Sequence, residues 1–401
     1  MTNSAQLLHY GYLPDQTPGL PPAVNSAADK SVDFNGCDLV KLASDTFDVA
    51  ISKCLENTSS GITHVIPLSS GLDSRLILGA VCERVPQESI LTITYGTPGT
   101  WDYELGQKVA QEAGVENIAV DLRYDIDWSY ESINESVSSV DNPSRLLAIH
   151  SNQKLSTFVK PDDWILWSGF LGEASAGQHL PKKEAESWED ACNAFATWNQ
   201  WTSLAPNNYN PIKSLPNKPY VPRKELGYRD QLDFAVRQEM FIRPIIDQFE
   251  LNTPYETTDW LDFSLNLPLK NRQKRSLFKK LAVKKYPDLF QIGSDATFGQ
   301  PLTASTVRQE ASHYFHGALY RIANKIGVKY QHPNMQYLDY KSALRHSALL
   351  RDTAYRYCDE LDTANVFDTN IGHNIFKQHQ RSKNLATEIR AIMTTAAFYD
   401  Q

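Results

Sequence analysis

Val65-Ile66-Pro67-Leu68-Ser69-Ser70-Gly71-Leu72-Asp73-Ser74, continuing into Arg75-Leu76-Ile77-Leu78-Gly79-Ala80-Val81, is the stretch that decides the fold. An apolar run that reads as a strand ends at Leu68. A turn rich in small residues follows, and the apolar run after it reads as a helix. Backbone N–H groups of such a turn and of the helix N-terminus converge on one place, and small residues let an oxygen-rich group approach them. The hydroxyls of Ser69, Ser70 and Ser74 add donors. Asp73 beside a phosphate cradle would repel its ligand unless a cation such as Mg2+ sat between them. The plainer alternative is a strand-to-helix turn in which Asp73 is a helix-cap residue.

Outward from this turn the chain alternates. The pattern predicts strand 63–68, helix 74–83, strand 89–95, helix 102–113 and strand 117–122. That rhythm predicts an α/β fold with a parallel sheet wrapped by helices, in which ligands bind at the C-terminal ends of the strands. A further strand, Trp164-Ile165-Leu166-Trp167, leads into a second glycine-rich segment, Ser168 to Gly177. Upstream, residues 38–56 carry the apolar stripe Leu39, Ala43, Phe47, Ala50 and Cys54, an amphipathic helix. The expected organisation is a partly extended arm over 1–37, a nucleotide-binding core over 62–180, a surface excursion or lid over 181–225 and a mostly helical part over 226–401. A break in that helical part is expected near 287–303.

Composition narrows the function. The 401 residues include 41% hydrophobic and 21% charged ones, an ordinary globular balance. A net charge of −8 argues against a broad nucleic-acid or anionic-membrane surface. The five cysteines are scattered without a C-x-x-C pair, which suggests neither a disulfide framework nor a zinc site. No signal-peptide pattern and no membrane-length apolar run is present, so the expected location is the cytoplasm.

The Ser69–Ser74 turn resembles S-G-G-x-D-S, the pyrophosphate-binding loop of ATP pyrophosphatases, and differs from the kinase-type G-x-x-x-x-G-K-[ST] loop. Four further segments resemble, in order, the synthetase domain of asparagine synthetases. They are Thr94 to Glu104 at a strand end, Ser168 to Gly177, Glu250-Leu251-Asn252-Thr253-Pro254-Tyr255, and Lys274-Arg275-Ser276-Leu277. Phe298 with Pro301, and the terminal run from Ile375 to Tyr399, extend the likeness over roughly residues 38–401. It implies a Rossmann-like, HUP-type ATP pyrophosphatase domain. It also implies ATP held by Leu68, Ser69, Ser70, Gly71, Leu72, Asp73, Ser74, Tyr95, Gly96, Ser168 and Gly169, with Mg2+ at Asp73 and Glu173. Lys274 and Glu250 are the implied catalytic residues. At the head of the chain, His9 to Pro14, Thr17 and Leu20-Pro21-Pro22 resemble the linker that follows a glutaminase domain. The expected nucleophilic cysteine is replaced by Thr2, so the nitrogen is expected as free ammonia, from a separate glutaminase or other ammonia-supplying protein, or as a substrate amine.

Departures from the family pattern point away from asparagine as product. The first motif Glu is Phe170, the metal-binding Asp aligns with Glu173, and the Arg of L-E-x-R is Asn252. β-Lactam synthetases place a Tyr at the position of Phe170 and pair it with a downstream Glu; Glu250 matches that Glu. Lys274 also has an argument of its own. Residues 272–285 hold seven Lys or Arg in fourteen positions, most of them expected on a solvated face. Lys274 lies three, four and seven residues before Leu277, Phe278 and Leu281, so it is expected on the buried stripe and in need of an anion. His64, His150, His179 and the later histidines lack metal-ligand spacing and read as structural or surface residues. Trp188, Trp198 and Trp201 read chiefly as packing. The expected activity is an AMP- and pyrophosphate-forming amide ligase that joins a small-molecule or peptide carboxylate to an amine or ammonia. The alternatives are ammonia-dependent asparagine synthesis and an inactive binding subunit of a larger complex.

Overall fold

The computed structural model describes residues 2–15, 19–30, 32–160, 163–326, 330–335, 337–364 and 370–399; Thr17 lies outside them. Five strands, β1 (Thr63–Pro67), β2 (Ile90–Gly96), β3 (Glu116–Asp121), β4 (Trp164–Trp167) and β5 (Leu251–Asn252), form one sheet in the order β3-β2-β1-β4-β5. Every pairing is parallel, with Val65 opposite Leu91 and Leu166, and Trp167 opposite Asn252. The period of two along each strand divides the side chains between two cores. Val65, Leu91, Ile93, Val120 and Leu166 enter one, which the helices Leu146–Leu155, Ala348–Thr363 and Ala386–Ala397 close. Ile66, Ile90, Ile165 and Trp167 enter the other, beneath the helices Leu39–Glu56, Leu72–Cys82 and Thr258–Asn266. Coverage of both faces is why these strands are apolar runs rather than alternating ones.

The first three strands and their helices fall within a residue or two of the expected bounds. Asp38 caps the helix Leu39–Glu56, accepting from the N–H groups of Val40 and Lys41 at 3.0 and 3.1 Å. The chain runs from β1 outward through β2 and β3, then returns to lay β4 on the other side of β1. Connections leave the C-terminal ends of β1 and β4 in opposite directions, and the crevice between them is where open parallel sheets bind ligands.

The partly extended arm expected over residues 1–37 is, over its described residues, folded into the protein. Thr2–Tyr10 and Pro22–Ala28 are helices, and Leu7, Leu8, Tyr10 and Tyr12 are fully buried. The excursion supplies the apolar partners that make this possible. Its helix Trp188–Trp198 places Cys192 and Phe195 in a third core with Tyr10, Tyr12 and Leu232. The Thr202 hydroxyl donates to the Leu8 carbonyl at 2.7 Å, tying the two segments together. His64 is buried and accepts from the Trp167 indole at 3.0 Å. Among the described residues no helix is long and apolar enough to cross a membrane.

Candidate functional site

The turn after β1 lies at that crevice. Gly71 caps the helix Leu72–Cys82 and no side chain bonds to the cap, so Asp73 is not the cap residue. Asp73 lies within the first turn of that helix, where the dipole favours negative charge. The Ser70 N–H and hydroxyl both donate to Asp102 Oδ1, at 3.2 and 2.6 Å. The Gly71 N–H donates to the Ser69 hydroxyl at 3.1 Å. Arg75, fully buried, anchors the turn from behind. Its guanidinium donates to the carbonyls of Ser70, Leu289, Ile292 and Gly293, and burial lowers its pKa to about 10. Two buried polar atoms in this turn have no hydrogen-bond partner: the Ser74 hydroxyl and Asp73 Oδ1.

The second glycine-rich turn, after β4, roofs Asp73. A Cβ on Gly172 would stand 2.9 Å from Asp73 Cγ, and one on Gly169 would stand 3.2 Å from Asp73 Cβ. Only glycine permits the two turns to approach this closely. Ser168 stays within its own turn, its hydroxyl accepting from the Phe170 N–H at 3.2 Å. On the far side the Tyr255 hydroxyl donates to the Asp73 carbonyl at 3.0 Å. Burial pushes the Asp73 carboxyl up to about 7; Arg275 opposes that shift, while Glu173 and Asp295 reinforce it.

The cation at this carboxylate is Arg275, not Lys274. The helix expected to run through 272–285 begins only at Ser276, because Lys274 and Arg275 both adopt left-handed backbone angles, φ 58° and 56°. The break turns Lys274 out to solvent and leaves Arg275 only 4% exposed. Arg275 Nη1 lies 3.3 Å from Asp73 Oδ2 and 3.6 Å from Glu173 Oε1, bridging the two carboxylates assigned to the metal. Lys279, expected on the solvated face, is half-buried, and burial together with Arg275 and Lys274 lowers its pKa.

Glu173 belongs to a longer chain of charge. Its Oε2 lies 3.7 Å from His179 Nε2, and His179 Nδ1 meets Asp233 Oδ2 at 2.6 Å. Burial works against both charges of the His179–Asp233 pair. Asp233 and Glu173 nevertheless raise the imidazole pKa, and His179 with Arg237 and Arg229 holds Asp233 at about 2. Asp233 opens a π-helical segment, Asp233–Ile242, a backbone form that recurs at functional sites. From sequence His179 reads as a structural or surface residue for lack of metal-ligand spacing; the fold pairs it with Asp233, 54 residues away.

Glu250 does not face Phe170. Its side chain is exposed beside the edge strand β5, and its carbonyl accepts from the Leu166 N–H at 3.1 Å. The guanidinium of Arg243 lies 4.5 Å from the Phe170 ring centroid and holds Glu239, Glu256 and Asp247. Asn252 points away, donating to the Thr58 hydroxyl at 3.1 Å. At the end of β2, Tyr95 stacks on Tyr337 with centroids 5.6 Å apart, and the Tyr337 carbonyl accepts from the Thr97 hydroxyl at 2.9 Å. Gly96 lies under the same backbone. Among the described residues the non-glycine positions with positive φ are Leu171, Lys274, Arg275, Phe298 and Tyr337. Leu171, Lys274, Arg275 and Tyr337 border the strand ends, where such strain concentrates at functional sites.

Compared with models of known protein families and with curated proteins, the chain matches none.

The donor set fits one hard divalent cation. Asp73 Oδ1 is an orphaned buried acceptor, and Glu173 and Asp295 add negative charge around it. Among the described residues no three His, Cys, Asp or Glu side chains form a metal-binding group. Mg2+ does not need such a cage, since it is bound through one or two carboxylates, phosphate oxygens and water.

Proposed function

We propose that this chain is an ATP-dependent amide ligase that releases AMP and pyrophosphate. The observation carrying this reading is the crevice at the ends of β1 and β4. A buried carboxylate with a free oxygen and a free serine hydroxyl lie there at a helix N-terminus, roofed by a glycine turn that leaves no room for a side chain. Ser69, Gly71 and Ser74 supply donors for the pyrophosphate part of ATP, and Asp73 with Glu173 supplies the carboxylates for Mg2+. Bound there, Mg2+ would neutralise phosphate charge.

In this reading a substrate carboxylate oxygen attacks the α-phosphorus of ATP. The α–β phosphoanhydride bond breaks and pyrophosphate leaves with its electron pair. The resulting acyl-adenylate has a good leaving group, and a nitrogen nucleophile forms the amide as AMP departs. Arg275 takes the role assigned from sequence to Lys274, a positioned cation for charge developing on the phosphates. The neutral form of His179, with Asp233 behind the imidazole, provides an acceptor for the proton that the nitrogen loses.

The experiment supplies ATP, Mg2+ and hydroxylamine as a generic nitrogen nucleophile, and screens carboxylic acids for products. AMP and pyrophosphate in equal amounts, with an acyl hydroxamate, are expected. ADP and orthophosphate would show that the turn after β1 serves a different chemistry. Glutamine is expected to be inert as nitrogen donor, and glutamate release by the purified chain would contradict that.

A further inference from the structure

A cavity of about 920 Å3 opens beside Tyr95 and Tyr337, at the end of β2 and on the sheet face away from the helix Leu72–Cys82. That is the upper range for a pocket holding a drug-sized molecule. Its walls are unequal in charge: among the described residues Arg145, Lys341, Arg345 and Arg390 line it, against the single carboxylate of Asp339. Asp339 is committed to capping the helix Tyr340–His346, and Arg345 to the backbone carbonyls of His379 and Lys383.

Arg145 and Arg390 have no such commitment. Neither forms an ion pair among the described residues, and the Nε of each is buried without a hydrogen-bond partner. Aromatic faces hold them in place. The Arg145 guanidinium lies 4.4 Å from the centroid of Phe241 and 4.6 Å from that of Trp201. Arg390 lies 4.0 Å from Tyr340 and shares Trp201 at 5.7 Å. Burial, and then the charge of Arg390, lowers the Arg145 pKa to about 9. Two guanidinium groups that repel each other and lack an acid are unfavourable in a protein interior, and cation–π contacts offset only part of that cost. The arrangement is unfavourable for stability and suited to receiving an anion. Ala148, Ile242, Ile245 and Ile246 give one stretch of the wall an apolar character that suits a flat or hydrocarbon body.

We propose that this cavity binds an organic anion with an apolar body, its acidic group seated on Arg145 and Arg390. Resting on the ligase reading, this molecule is the acyl donor, and it carries a second anionic group besides the carboxyl that is activated. The Arg145 and Arg390 end anchors the second group, and the Tyr95 end presents the carboxyl toward the strand termini.

The test uses two fluorescent probes with the same apolar rings, 8-anilinonaphthalene-1-sulfonate, an anion, and N-phenyl-1-naphthylamine, which is neutral. The wild-type chain should bind the sulfonate saturably. The pair Arg145→Met with Arg390→Met should weaken that binding at least about tenfold, while the neutral probe changes less than about twofold. Arg145→Lys with Arg390→Lys should restore most of it. Arg390→Gln alone gives the same comparison should the double variant not fold. Saturating Mg2+ and ATP should leave the sulfonate bound. Sulfonate affinity indifferent to the arginines, or displacement by ATP, would overturn the proposal. Neither probe is turned over. Binding as described, combined with failure to release AMP and pyrophosphate, therefore counts against the ligase reading alone.

Discussion

Replacing Asp73 with Asn tests whether the carboxylate under the glycine roof is held against its own ionisation. Burial raises its pKa from 3.8 to about 7. The folded state therefore keeps a proton that the unfolded chain has already released between those two values. Stability contributed by this group must fall as pH rises across that window. Between pH 5 and pH 7 the loss covers about two pH units, on the order of 3 kcal/mol. Asn has nearly the same shape and no charge, so Asp73→Asn should gain that much on the wild type between pH 5 and pH 8. Losing the partner of Arg275 shifts both ends of the comparison, which is why the slope matters more than the offset. With an unfolding entropy of ~2.1 cal/mol/K per residue over 401 residues, each kcal/mol moves Tm by ~1.2 °C. The variant-minus-wild-type difference in Tm should grow by ~3 °C from pH 5 to pH 8 in calorimetry without nucleotide. Mg2+ with ATP should stabilise the wild type and leave the variant largely unaffected. A difference in Tm that does not change with pH would refute the reasoning.

Arg275→Met should weaken binding of ATP with Mg2+ by about tenfold or more in titration calorimetry, whereas Lys274→Met, at an exposed position, should change it by less than about threefold. His179→Gln should lower Tm most near pH 6. The raised imidazole pKa contributes stability that is complete below the unfolded value of 6.5 and is lost as pH rises through the folded one, so the deficit should shrink toward pH 9 in a pH series of melts. Gly172→Ala would drive a methyl against Asp73; a cost of roughly 1–3 kcal/mol in denaturant unfolding, with loss of nucleotide binding, is expected.

The sequence carried the alternating core of the fold plainly, because each strand–helix step from β1 to β3 is local and periodic. β5 escaped it: two residues at a sheet edge have no periodicity to read. The arm was misjudged from its prolines, since what orders Leu7, Leu8, Tyr10 and Tyr12 is a distant core completed by Phe195 and Leu232. In the site, the small residues of both turns marked the crevice, but the basic run misled. The periodicity runs a helical stripe through Lys274, and two successive left-handed residues break it. No glycine or proline at those positions signals such a break. His179 was illegible for the opposite reason, being an ordinary residue until the fold brings Asp233 and Glu173 to its two nitrogens. The Arg145 and Arg390 cluster joins residues near the middle and the end of the chain, beyond the reach of any motif.

If ATP binds at the turn as proposed, the double hydrogen bond from Ser70 to Asp102 bears on selectivity. The cradle already has an internal tenant, a carboxylate tethered at the start of the helix Trp101–Ala113 and matched to donors that an incoming phosphate would want. An incoming anion competes against an intramolecular rival of high effective concentration. Sulfate or orthophosphate, with few contacts elsewhere, is at a disadvantage in that contest. A nucleotide brings further contacts through its base, ribose and metal, and can evict the tenant or share the donors with it. On the proposed ligase reading, the Ser70–Asp102 latch would set a threshold of multivalency for entry, putting small anions at a disadvantage at this turn.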